Sequence, residues 1–127
     1  PWRVETWLDE DEVARLRVGQ EAVFLPDSAT GHMLQLRVAA IDRDAARQLP
    51  RRELASVLGG HIVTREKNGQ LLPERAVYRV ALDVLDMPPD MQQVAWRGRL
   101  TLHADWSSPA ARYLRQALTV FVREAGF

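Results

Sequence analysis

The stretch TWLDEDEVARLRVGQEAVF, residues 6–24, decides how the rest of the chain reads. Upstream of its acids, Trp2, Val4, Thr6 and Leu8 share one face while Arg3, Glu5 and Trp7 share the other. That period of two predicts a strand over 2–8. Asp9 then stands as an N-cap with Glu12 three residues on, an Asp-containing capping box. Glu10, Asp11 and Glu12 occupy the first turn and Arg15 and Arg17 the far end, the order a helix dipole favours. Val13 and Leu16 are three apart and can face a core together, and Gly19 can end the turn. A second strand is expected over 21–25, stopped by Pro26 and Asp27. Strand, capped turn, reversal, strand is the grammar of a small β structure whose acids serve packing rather than chemistry.

The whole chain supports that reading. It has 127 residues, enough for one domain with its own core. Lys plus Arg number 17 and Asp plus Glu 17. The zero formal balance argues against a dedicated nucleic-acid binder and against a polybasic membrane-surface module. Cysteine is absent, which excludes a disulfide scaffold and a Cys-based zinc site. No apolar run is long enough for a membrane-spanning helix. A first residue of Pro rather than Met fits a piece of a longer protein whose anchoring segments lie elsewhere.

Leu34, Leu36 and Val38 alternate with Gln35 and Arg37, predicting a strand to Ile41. Residues 50–58 read as a short helix ended by Gly59 and Gly60, and 61–67 as a strand. Asn68-Gly69 is a type I′ hairpin signal. Tyr78, Val80, Leu82 and Val84 line one face of the next strand, and Leu100, Leu102, Ala104 and Trp106 one face of another over 96–106. At the end the period changes. Leu114, Ala117, Leu118 and Phe121 are spaced i, i+3, i+4, i+7, with Pro109 suited to a first helical position, which predicts an amphipathic α-helix over about 108–125.

These residues resemble a known family. WLDEDEVARLRVGQEAVF, through Leu8, Asp9, Glu12, Leu16, Arg17, Gly19, Gln20, Val23 and Phe24, is similar to the signature of membrane-fusion, or periplasmic adaptor, proteins of the haemolysin-secretion type. YRVALDVLD resembles the barrel strand that follows the family's long insertion. WRGRLTLHADW resembles its closing strand, with Arg97-Gly98 in the place of a turn. LASVLGGHIV and RYLRQALTVFVREAGF resemble a narrower subgroup associated with site-2-type membrane zinc metallopeptidases. The peptidase His-Glu-x-x-His motif is absent, so no protease activity carries over.

No residue constellation here points to catalysis. His32, His61 and His103 lack metal-ligand spacing and read as loop and strand-surface residues. The acids 9–12 lack the alternating oxygens and Gly of a calcium loop. Asp83 with Asp86, or Asp105 with Glu124, read as surface charge, Ser56 is not in a nucleophile elbow, and Gly59-Gly60 lacks the Lys-Ser or Lys-Thr of a phosphate loop. Trp2 and Trp106 fall on inward faces, with Trp7 and Trp96 less determined. Arg99, with Arg112 and Arg115 on the expected helix, is the candidate partner-binding set.

The expected fold is mainly β, a small six-stranded β-barrel with short connecting helices and a C-terminal α-helix. The resemblance implies a non-enzymatic domain without cofactor or metal, on the periplasmic side of the inner membrane. Its implied partners are an inner-membrane transporter, an outer-membrane channel or, as the alternative, a membrane metallopeptidase.

Overall fold

A computed structural model describes residues 2–27, 33–46, 54–55, 61–87, 95–103 and 113–124. In chain order its elements are β1 (Trp2–Asp9), α1 (Glu10–Val13), β2 (Glu21–Pro26), β3 (Leu34–Ile41), β4 (Thr64–Lys67), β5 (Gln70–Pro73), β6 (Val77–Asp86), β7 (Ala95–His103) and β8 (Tyr113–Glu124). Six strands close into a barrel in the order β1-β6-β3-β2-β7-β8, with β8 returning to β1, and every pair is antiparallel. β4 and β5 form a separate hairpin. Its turn has Asn68 at φ 53° and Gly69 at φ 78°, the two positive values the Asn-Gly pair anticipated.

Alternation fills the interior. Val4 and Leu8 of β1, Phe24 of β2, Leu36 of β3, Leu82 of β6 and Val120 of β8 are all buried in one cluster. A barrel this narrow is packed by its own side chains. Each fully buried Leu, Val or Phe contributes about 1.5–3 kcal/mol.

The expected C-terminal helix is corrected. Residues 113–124 are β8, the strand that pairs with both β7 and β1 and closes the barrel. Leu118, Val120 and Val122 join the interior at a spacing of two, while Phe121 is buried on the other side in a second cluster with Trp7, Ile62 and Val77. A strand covered on both faces loses its polar alternation, and its apolar run then also fits a helical stripe. The β-branched and aromatic run Thr119-Val120-Phe121-Val122 was the local signal for strand. The start of the expected helix, 108–112, lies outside the described residues.

The strand expected over 61–67 contributes only β4, outside the barrel, so β8 takes its place as the sixth barrel strand. Of the helix expected over 50–58, only Leu54 and Ala55 are described, and Ala55 makes a parallel β-bridge with Ile62. Arg97-Gly98 is not a turn but lies inside β7, opposite Thr119 and Leu118. Trp7 is buried against Phe121, ring centroids 6.0 Å apart and near-perpendicular, on the outer side of the β1–β8 wall. Trp96 is buried in the barrel core, and Trp2 packs against it, partly buried. Trp106 lies outside the described residues.

Candidate functional site

The acid-rich turn closes the barrel end where β1 stops. Asp9 carboxylate accepts the Glu12 N–H and Glu12 Oε1 accepts the Asp9 N–H, each at 2.9 Å, which completes the capping box. Val13 and Leu16 pack on the barrel core. Gly19, at φ 93°, donates its N–H to the Val38 carbonyl at 2.8 Å, and Val38 N–H returns to the Gln20 carbonyl at 2.8 Å. Only a residue free to take positive φ turns the chain there into β2 without strain.

A cavity of about 180 Å³ lies beside this turn, lined by Asp9, Glu12, His61, Ile62, Val63, Arg75 and Val77. That is smaller than the roughly 300 Å³ at which small-molecule sites begin. Arg75 Nη2 bonds Asp11 at 2.8 Å on the open side. Glu12 Oε2 is buried without a hydrogen-bond partner among the described residues. Burial raises the Glu12 carboxyl above its ordinary 4.5, against the lowering effect of the Asp9 N–H. The folded state therefore holds this proton more tightly than the unfolded chain does. The cost of ionising Glu12 enters as the pH rises above 4.5.

The expectation of a surface position for His61 is corrected. Its Nδ1 accepts the Thr119 N–H at 3.1 Å, and its Nε2–H donates to the Trp7 carbonyl at 2.7 Å. A carbonyl can only accept and an amide N–H can only donate, so the ring is neutral with its proton on Nε2. Burial lowers its pKa from the ordinary 6.5, while the Trp7 carbonyl and Asp9 pull the other way. Nothing in the sequence around His61 announces this role, because both partners lie on other strands. His32 lies outside the described residues, and the backbone of His103 sits on β7 opposite Tyr113. Among the described residues no three His, Cys, Asp or Glu side chains could hold a metal ion.

The outer wall divides by charge. On the β8–β1–β6–β3 side, Glu5 receives Arg79 and also Arg123 at 2.6 Å, Arg79 reaches Asp42 at 3.3 Å, and Arg3 meets Asp83 at 3.1 Å. Arg37 and Glu21 pair across β2 and β3 at 3.2 Å. Glu5 is the shared acceptor and its side chain is only 13% exposed. Replacing it with alanine leaves two guanidinium groups facing one another. The expected loss is about 1–3 kcal/mol, toward the lower end because Arg123 is half exposed. Urea unfolding of Glu5→Ala checks this; an unchanged midpoint would mean that solvent already screens the pair.

The β2–β7 side differs. Arg97 and Arg99 are exposed on β7, two residues apart, and neither forms an ion pair among the described residues. Arg99 lies opposite Leu25 of β2, itself an exposed large apolar side chain. Of the expected partner-binding set, Arg99 is therefore on an open sheet face. Arg115 sits on β8 opposite Thr101, two residues along β7 from Arg99, rather than on a helix. Arg112 lies outside the described residues. Arg97, expected in a turn, belongs instead to this face through the strand alternation of β7.

Comparison with protein-family models, with curated proteins and with solved structures finds no match to this chain.

Proposed function

We propose that this chain is a non-enzymatic adaptor domain on the periplasmic side of the inner membrane. It makes protein–protein contacts between an inner-membrane transporter and the other components of an export system. The observation that carries the reading is the asymmetric wall. One side pairs its charges with one another, while the β2–β7 side presents Arg97, Arg99 and Leu25 to solvent. Arginine beside exposed apolar surface is a composition enriched at protein interfaces. The closed barrel with an acid-started turn at one end also fits what the resemblance to periplasmic adaptors implies. A closed barrel has no free edges to mispair, so it holds such a face rigidly beside other β-rich parts. The role is mechanical, holding geometry and relaying contacts, with no covalent step.

Single cysteines test this, because the chain has none of its own. Probes at Arg99 and Arg115, with Arg37 on the charge-paired side as reference, are crosslinked in cells that express the protein in its native genomic context. Crosslinks to an inner-membrane transporter or outer-membrane channel from Arg99, and not from Arg37, are the expected result. Crosslinks from Arg99 to a membrane metallopeptidase would replace this reading with the alternative, a regulatory or substrate-presenting module of that enzyme. Equal labelling from both sides, or none from a folded protein, would remove the β2–β7 face as the docking surface.

A further inference from the structure

The β1–β8 ladder pairs Trp2 with Glu124 through to Glu5 with Phe121 and then stops. Continued in register, it would set Trp7 opposite Thr119. The strands part there, and the imidazole of His61 stands between them, bonded to the Trp7 carbonyl and the Thr119 N–H. The Thr119 carbonyl is taken by a second side chain, the buried Thr6 hydroxyl, at 2.8 Å. Both backbone groups of Thr119 are thus satisfied by side chains where a neighbouring strand would serve. His61 belongs to the long connection between β3 and β6. Its neighbour Ile62 packs with Trp7 and Phe121 on the outside of the wall and donates its N–H to the Leu54 carbonyl at 2.8 Å. The imidazole is therefore a polar tie between that connection and the barrel seam, beside the Arg75–Asp9 pair at the end of β1.

We propose that His61 is a pH-sensitive latch: as neutral imidazole it fastens the β3–β6 connection to the β1–β8 seam, and on protonation it releases it. Protonation puts a hydrogen on Nδ1, which then faces the Thr119 N–H donor to donor. The bond is lost and two donors are held in contact. Among the described residues the charged groups around the ring are few. Asp9 from β1 and Glu12 from α1 favour an imidazolium, and Arg75, ahead of β6, opposes it. Asp9 is already engaged by the Glu12 N–H and by Arg75. From β8, Thr119 and Phe121 bring no charge; from β6, Val77 brings none; and Leu54 and Ala55 are apolar. Desolvation of the half-buried ring outweighs the pull of the Trp7 carbonyl and of Asp9, and lowers its affinity for a proton. The sign follows: the stabilising contribution is complete above pH 6.5 and is lost as the pH falls from there toward the lower value of the folded state.

Amide hydrogen exchange on the isotope-labelled chain, corrected at each pH for the intrinsic rate, is the test. A histidine titrating at its ordinary 6.5 in the open form allows the opening at Thr119 to grow by up to about thirty-fold between pH 8 and 5. The Val38 amide, bonded to Gln20 on the far side of the barrel, is the internal reference and should hold its protection. In His61→Gln, the carboxamide can accept from Thr119 and donate to Trp7 without titrating, so protection at Thr119 should no longer depend on pH. Protection at Thr119 that does not change with pH in the wild type would overturn the latch. So would loss at Thr119 and Val38 together, or an undiminished pH dependence in His61→Gln. The wild-type titration decides by itself if the glutamine variant fails to fold.

Discussion

Gly98→Ala is expected to be among the most damaging single-methyl additions this chain can receive. Gly98 is buried in β7 opposite Pro26 of β2 and Leu118 of β8. A Cβ built there would lie 2.7 Å from Phe24 Cζ and 2.8 Å from Pro26 Cα, and closer still to the Leu25 carbonyl oxygen. The phenyl ring could swing aside, but the other two atoms are backbone of a paired strand. Moving them means separating β2 from β7, which breaks ladder hydrogen bonds as well as the core. Overpacking in a close-packed interior costs about 1–3 kcal/mol when side chains can adjust, and more when they cannot. We expect about 3 kcal/mol or more, a fall in Tm on the order of 10 °C for a domain of this size. Trimming the ring as well, in Phe24→Leu/Gly98→Ala, should recover only a fraction, because the Leu25 carbonyl remains. Thermal unfolding followed by circular dichroism measures both. A loss below about 1 kcal/mol would mean that β2 and β7 do not approach in this register.

The second large effect concerns β8, the strand whose apolar spacing also fits a helix. Val120 is fully buried and faces the core between β7 and β1, in register with Trp96. An aspartate there places an unpaired carboxylate among apolar side chains, which costs several kcal/mol or forces the group to stay protonated. The damage does not stay local. β8 is the closing strand, so dislodging it opens unpaired edges on both β1 and β7. Such edges recruit other chains. Val120→Asp is therefore expected to lose most of its soluble yield, and any soluble fraction to lack a cooperative urea transition. Survival of Val120→Asp with an unchanged midpoint would return residues 113–124 to an element lying on the barrel instead of closing it.

Individual residues show how far the sequence can be read. Asp9, Glu12 and Gly19 act through neighbours within a few positions, so the capped turn and its reversal are legible in the order of the residues alone. So are β3, with its clean Leu34, Leu36, Val38 alternation, and the Asn68-Gly69 hairpin. Arg99 can be singled out as a strand cation, but its companion Arg97 is hidden when Arg97-Gly98 is taken for a turn. The role of His61 has no local signal at all. Its meaning depends on Trp7, 54 residues away, and Thr119, 58 residues away. No local pattern encodes a ring that replaces one rung of a ladder.

By itself the sequence determined the β class, the alternating strands, the capped turn and the hairpin, because each follows from dihedral preferences and hydrogen bonds between near neighbours. Only the tertiary structure decided that the last segment is a strand. Its apolar residues satisfy both a period of 3.6 and a two-sided strand, and the choice falls to whichever surfaces await it. Here β1 and β7 each present an open edge to that segment, and Trp7 and Ile62 present an apolar surface outside the wall. The cost of leaving those backbone groups unpaired settles residues 113–124 as the sixth strand of the barrel.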